Sequence, residues 1–223
     1  IGSVNLINAA VKNEIKCFVF TSSIAVYGDG EVPLRESQVP HPEDPYGVAK
    51  YAVEMDLRAA HDMFGLPYTV FRPHNVYGAY QNLNDPYRNV IGIFMNQLLS
   101  GQPMTIFGDG NQTRAFSHID DVAPYIAEAA RMPNCYGETF NIGADIDYTV
   151  NELAQKVAAA LDIAPEVTHL PPRNEVINAY CSHEKVAKFF DVKPKIDLET
   201  GLANMAEWVL AQDVHQPVEF GNI

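Results

Sequence analysis

Apolar positions along the chain alternate between short continuous runs and helical periods. Residues 3–13 space their apolar side chains as an amphipathic helix, and KCFVF (16–20) follows as a short apolar strand. A proline-rich stretch, VPLRESQVPHPEDP (32–45), reads as a loop; a helical period then runs from Tyr46 to Phe64, with Gly65 as its stop. YTVFR (68–72), rich in β-branched and aromatic residues, predicts a strand. NVIGIFMNQLLSG (89–101) predicts a helix, MTIF (104–107) a strand and IDDVAPYIAEAARM (119–132) a helix opening with two aspartates. ETFNIG (138–143) reads as a buried strand, and VNELAQKVAAALD (150–162) and LETGLANMAEWVLAQ (198–212) as helices. Strands separated by helical patterns of this length predict an α/β fold, with a parallel sheet covered by helices on both faces.

Composition narrows the partners. With 47% hydrophobic and 19% charged residues, the 223-residue chain has the make-up of an ordinary globular protein able to bury a substantial core. A formal charge of −13 argues against nucleic acid or an anionic membrane as the main partner, although local arginines can still hold a small anion. No apolar run approaches the roughly 18 residues of a membrane span. Cys17, Cys135 and Cys181 are odd in number and without metal-ligand spacing, so reduced thiols, a cytoplasmic location and no metal site are expected. Asn111-Gln-Thr113 fits a glycosylation sequon by chance in such a chain. The sequence starts at Ile1, inside a helical pattern and without a signal peptide, so a larger fold is expected to precede it.

The candidate chemistry lies near the start. Tyr46 and Lys50 are four residues apart and share a helix face. A phenol ionises near pH 10 in water, so a tyrosine that takes a proton at neutral pH needs a positive charge beside it. Ser23 lies just past the 16–20 strand, where open parallel sheets place their ligands, and its hydroxyl could share charge on a substrate oxygen. Together the three suggest proton transfer coupled to oxidation of an alcohol.

Five segments in order give the chain a family resemblance covering essentially its whole length: FVFTSSIAVYG (18–28), PYGVAK (45–50), FRPHNVYG (71–78), IFGDGNQTRAFSHIDDV (106–122) and FNIG (140–143). The sequence resembles the extended short-chain dehydrogenases/reductases, specifically the NAD-dependent nucleotide-sugar epimerases and dehydratases, with the UDP-glucose 4-epimerases as the nearest group. The resemblance implies the C-terminal portion of a doubly wound, Rossmann-like parallel sheet plus a smaller α/β substrate-binding lobe. Residues 1–78 would belong to the NAD-binding domain and 79–223 mainly to the nucleotide-sugar lobe, with segments near 114–143 returning to the first sheet. It further implies Ser23, Tyr46 and Lys50 as catalytic residues, Tyr46 being the acid/base. Thr21, Ser22, Tyr46, Lys50, Arg72, Pro73 and His74 would contact NAD. Ser23, Asn75, Asn89, Thr105, Phe107, Arg114, Arg173 and Tyr180 would contact the nucleotide sugar, Arg114 and Arg173 clamping its diphosphate; Val90 is an equal candidate for the position of Asn89.

The pattern departs from particular members at a few positions. Dehydratases carry an Asp-Glu pair after the catalytic Ser/Thr, decarboxylating relatives a glutamate at the position of Ala25, and GDP-sugar 3,5-epimerases a cysteine there. Here Ile24-Ala25 follows Ser23, so the resemblance implies oxidation and re-reduction at one carbon, 4-epimerisation through a 4-keto intermediate, with UDP-glucose/UDP-galactose as the first expectation. Arg173 precedes Asn-Glu-Val where relatives have R-x-GD, so Glu175 would have to contact the nucleotide ribose. Tyr180 resembles a bulky gate that disfavours N-acetylated sugars. No G-x-x-G-x-x-G turn occurs in the 223 residues. Two readings stay open on that point: the catalytic and sugar-binding portion of a normal epimerase, whose activity alone is left open, or a naturally truncated, non-catalytic nucleotide-sugar-binding or interaction protein. Another UDP- or GDP-sugar epimerase is the further enzymatic alternative. A homodimer built on the helices near 3–13 and 46–64 is expected, as relatives form such four-helix bundles.

Overall fold

The structure, a computed structural model, describes residues 1–85, 89–173, 176–192 and 196–212. In chain order the elements begin α1 (Gly2–Lys12), β1 (Phe18–Thr21), a 3-10 turn (Ile24–Tyr27), α2 (Pro45–Phe64), β2 (Tyr68–Pro73) and β3 (Val76–Tyr77). They continue with α3 (Val90–Leu99), β4 (Met104–Phe107), β5 (Thr113–Ala115), β6 (Ser117–His118), α4 (Ile119–Ala129) and β7 (Glu138–Ile142). The last are β8 (Asp147–Thr149), α5 (Val150–Ala160), β9 (Val167–Leu170), β10 (Asn178–Ala179), α6 (Val186–Phe189) and α7 (Leu198–Leu210). They fall into two compact units, one made of residues 1–74, 121–145 and 179–194, the other of 75–120, 146–178 and 195–223. The first unit thus includes β7, inside the 114–143 stretch, and the described residues of 179–194.

In the first unit, β1, β2 and β7 form a parallel sheet with β2 at its centre, Val70 opposite Phe20 on one side and Thr139 on the other. All six residues of β2 are buried, as a strand covered on both faces requires. Alternation along it divides the labour. Tyr68 and Val70 pack with Ile7 and Ala10 of α1 and Leu57 and Ala60 of α2. Phe71 faces the other way, toward Phe140 at 5.7 Å and Phe190 at 5.9 Å, and Tyr125 of α4 stands edge-on to Phe190. Arg72 shares the parity of Tyr68 and Val70, and so is carried to the α2 side. α2 ends at Gly65 in the left-handed region (φ 71°), the stop expected from sequence.

In the second unit, α3, α5 and α7 enclose a core of Phe94, Met95, Leu153, Val157, Leu202 and Met205. β4 pairs in parallel with β9, and β5 antiparallel with β8, Arg114 opposite Tyr148. α5 starts with a capping box in which Thr149 Oγ1 accepts from the Glu152 N–H and the Glu152 carboxylate accepts from the Thr149 N–H. Among the described residues no helix is long and apolar enough to cross a membrane.

Candidate active site

Asp44 starts α2: its Oδ1 accepts from the Gly47 N–H at 2.6 Å, and Pro45 supplies a pre-set φ. Tyr46 therefore stands in the first turn, half exposed (50%), with Lys50 one turn further along. The Lys50 ammonium donates to the Thr21 carbonyl at 2.7 Å and lies 5.6 Å from the centre of the Tyr46 ring. That carbonyl is the last of β1. Beyond it Ser22 is buried, its N–H donating to the Phe71 carbonyl at 2.7 Å, while its Oγ has no hydrogen-bond partner among the described residues. Ser23 leaves the strand in extended conformation, and its Oγ accepts from the Ala25 N–H at 3.2 Å, capping the 3-10 turn.

α2 presses closely on this turn. A Cβ on Gly47 would stand 2.5 Å from the Ala25 carbonyl oxygen, so only glycine lets the helix start so near. Gly47→Val is expected to lower stability by about 1–3 kcal/mol through overpacking, read as a lower Tm in thermal unfolding.

Further into the unit a polar chain links α2, β2, the 3-10 turn and β7. Arg72 donates from Nε to Glu54 Oε1 at 3.0 Å and from a terminal nitrogen to Glu54 Oε2 at 2.5 Å, with both side chains buried. Its guanidinium carbon lies 4.7 Å from the centre of the Tyr27 ring. The Tyr27 hydroxyl donates to Asn141 Oδ1 at 2.8 Å, and Asn141 Nδ2 donates to the Leu34 carbonyl at 3.1 Å. The guanidinium of Arg72, expected beside the nicotinamide, is thus engaged inside the unit.

Burial pushes the Tyr27 phenol up to about 12. In the unfolded chain it would ionise near pH 10, so the folded state retains a proton that the unfolded state has lost between pH 10 and 12. Stability should therefore fall as pH rises through that window, by roughly 2–3 kcal/mol from this group, and a Tyr27→Phe variant should lose less. Chemical denaturation at pH 8 and at pH 11.5 checks it.

His74, next after β2 and 1% exposed, places its Nε2 at 3.2 Å from Nε2 of His183, whose Nδ1 is 2.6 Å from Asp145 Oδ1. That hydrogen bond holds the Asp145 carboxyl below its ordinary range. Thr21 to Ser23, Pro73 to His74 and Ala144 to Asp145 all follow the carboxyl ends of parallel strands, the edge where such sheets bind ligands. An orphaned buried hydroxyl on Ser22 and an ammonium at the same strand end suit the hydroxyls of a nucleotide ribose, so these residues fit a nicotinamide cofactor.

The second unit holds a cavity of 260 Å³ whose walls include Asn75, Asn89, Thr105, Phe107, Arg114 and Arg173, six of the residues expected to contact a nucleotide sugar. Asn89 precedes α3 in the left-handed region (φ 62°), and Val90 and Ile91 line the same wall, so the helix brings its positive N-terminal end to the cavity. Arg173 stacks on the Phe107 ring at 3.5 Å. Arg114 is tied to backbone, donating to the carbonyls of Thr113, Ile177 and Val176. Asn75 Nδ2 donates to the Ala115 carbonyl at 2.9 Å. Thr105 is held by Gln97, whose amide donates to Thr105 Oγ1 and accepts from the Thr105 N–H, each at 3.0 Å.

Tyr180 does not line this cavity; it belongs to the first unit, where its carbonyl accepts from the Leu34 N–H at 2.9 Å. Glu175 lies outside the described residues. The sequence reading missed Glu54, Gln97, Asp145 and His183. A signal existed for the first two: Glu54 repeats the four-residue step of Tyr46 and Lys50, and Gln97 is polar within an otherwise apolar helix.

The chain is similar to known proteins over most of its length. The chain is 30% identical over 213 residues to a UDP-glucose 4-epimerase of Mycolicibacterium smegmatis, covering 93% of this chain and 67% of that protein. The crystal structure of a UDP-glucose 4-epimerase with UDP-glucose from Thermotoga maritima superposes with a TM-score of 0.87 at 34% identity, over 94% of this chain and 68% of that one. A UDP-N-acetylglucosamine 4-epimerase from Methanobrevibacter ruminantium, in complex with UDP-N-acetylmuramic acid, gives a TM-score of 0.88 at 31% identity, over 94% and 67% of the two chains. Residues 1–143 match the NAD dependent epimerase/dehydratase family. The chain is part of a Rossmann-like fold, and it belongs to the NAD-dependent epimerase/dehydratase family of nucleotide-sugar enzymes.

Proposed function

We propose that the chain carries the catalytic and sugar-binding residues of an NAD-dependent UDP-hexose 4-epimerase, with UDP-glucose and UDP-galactose as the first substrates to test. The observation that carries this reading is the Lys50 ammonium, fixed on the Thr21 carbonyl beside the Tyr46 ring, with Ser23 two residues beyond Thr21. In this reading the first unit holds the cofactor and the acid/base, and the second holds the nucleotide. NAD+, when bound, supplies the acceptor for a hydride from the sugar carbon and returns it.

The chain's own residues would manage the proton and the charge. Tyr46 would take the proton of the sugar hydroxyl as its carbon is oxidised and give it back on reduction. Lys50 puts a positive charge where negative charge develops on the phenol. Ser23 would donate a hydrogen bond to the oxygen of the 4-keto sugar. Ile24 and Ala25 put no acid or thiol next to Ser23, which favours redox at one carbon over elimination or decarboxylation. In the second unit, Arg173, Arg114 and the N-terminal end of α3 would hold the diphosphate, and Phe107 and Thr105 would border the base.

Purified chain incubated with NAD+ and UDP-glucose, followed by NMR at the anomeric proton, tests the reading; formation of UDP-galactose is the expected outcome. Binding of UDP-glucose without conversion would favour the second reading, a nucleotide-sugar-binding protein. Conversion of UDP-N-acetylglucosamine at a similar rate would overturn the preference for glucose. Three free cysteines suit a reducing compartment, and we place the protein in the cytoplasm. Exposed Val4 and Leu6 on α1 and Met55, Met63 and Phe64 on α2 support a homodimer, which a monomer in sedimentation would refute.

A further inference from the structure

We infer that Glu54 and Arg72 are positioning residues: their buried ion pair sets the register of the helix carrying Tyr46 and Lys50 against the turn that starts at Ser23. The inference rests on the function proposed above for those three residues. Tyr46, Lys50 and Glu54 follow each other at four-residue steps, so one face of α2 carries all three. This face meets the strand-and-turn segment 21–27 through three fastenings. Gly47 leaves its backbone against Ala25; Lys50 bonds the Thr21 carbonyl; and Glu54, through Arg72, reaches Tyr27 at the far end of the turn. Tyr27 is itself fixed on β7 by its hydrogen bond to Asn141. The two ends of the turn are Ser23 and Tyr27, so the third fastening decides where the Ser23 hydroxyl stands relative to the Tyr46 phenol.

Stability alone does not explain the pair. A buried ion pair is often no more stabilising than apolar side chains of similar volume. A two-point fork between guanidinium and carboxylate, however, fixes distance and angle in a way that apolar packing does not. Reaction between groups on α2 and on the turn needs that precision, since a misplacement of about 1 Å can lower turnover roughly 10²-fold.

The test compares wild type with Glu54→Gln and with the double variant Glu54→Leu/Arg72→Met, which keeps the volume and removes both charges. For each, Tm, amide hydrogen exchange across residues 22–28, NAD+ affinity, and kcat and KM with UDP-glucose are measured. The double variant should keep a Tm near that of wild type, with exchange of the Ala25 to Tyr27 amides faster by about tenfold. Its kcat should fall about 10²-fold, with KM for UDP-glucose changed less than about threefold. Glu54→Gln should show the same split in milder form if it folds; if it does not, the double variant decides. Native exchange in the turn together with native kcat in the double variant would overturn the inference. If wild type neither binds NAD+ nor converts UDP-glucose, the proposed function fails, and exchange in the turn alone decides whether the pair fixes it.

Discussion

Replacing Tyr46 with phenylalanine should lower the rate of nucleotide-sugar epimerisation by about 10²–10⁴-fold, the range typical for loss of a positioned acid/base. The phenol oxygen is the group the reaction would use, and the ring has little else to do: half of it faces solvent, in the first turn of α2. The variant should fold with an unchanged Tm and bind UDP-glucose as wild type does, because the residues proposed to contact the nucleotide line the cavity of the other unit. Lys50→Met should behave differently. It removes both the bond to the Thr21 carbonyl and the charge beside the phenol, so NAD+ affinity and kcat should fall together. Measuring kcat and the two affinities for both variants checks the assignment, and equal loss of UDP-glucose affinity in Tyr46→Phe would argue against it.

Arg173→Ala should weaken UDP-glucose binding by roughly 10- to 150-fold, the equivalent of about 1.5–3 kcal/mol for a hydrogen bond to a charged group. Arg173 is exposed and stacked on Phe107, so its removal should leave Tm unchanged. Uridine lacks the diphosphate, and its weaker binding should hardly respond to this substitution. Phe107→Ala should weaken uridine and UDP-glucose alike, since the ring would border the base. Calorimetric titration of both ligands into both variants separates the two roles. Arg114→Ala is a less clean probe, because its guanidinium also ties together the backbone of Thr113, Val176 and Ile177.

The long elements were legible in the sequence because their patterns are long. α1, α2, α3, α5 and α7 each repeat an apolar period over two turns or more, and β2 joins β-branched and aromatic residues between Leu66 and Pro73, while β7 shows Phe140 and Ile142 on alternate positions. The strands β3, β5, β6, β8 and β10, two or three residues each, are too short to show any alternation; they exist through their partners, as Val76 does opposite Ser117. KCFVF begins its strand at Phe18, later than expected, and the helix expected over 119–132 stops at Ala129. The four-residue spacing of Tyr46 and Lys50 put them on one face of α2, and the structure sets them side by side there. The motifs said nothing of side-chain direction. Arg72 stands in a recognisable segment, yet the parity of β2 turns it toward Glu54, and that parity could have been read from Tyr68 and Val70. The stacked pair of His74 and His183 joins residues 109 positions apart, and no local pattern announces it.

The most direct test of the central claim is a calorimetric titration of UDP-glucose into the purified 223-residue chain, repeated with NAD+ present. The account predicts binding at one site per chain with UDP-glucose, weakened roughly 10- to 150-fold in Arg173→Ala and retained in Tyr46→Phe. A chain that is folded by circular dichroism, yet gives no binding heat with UDP-glucose, UDP or NAD+ at any of several temperatures, would contradict it.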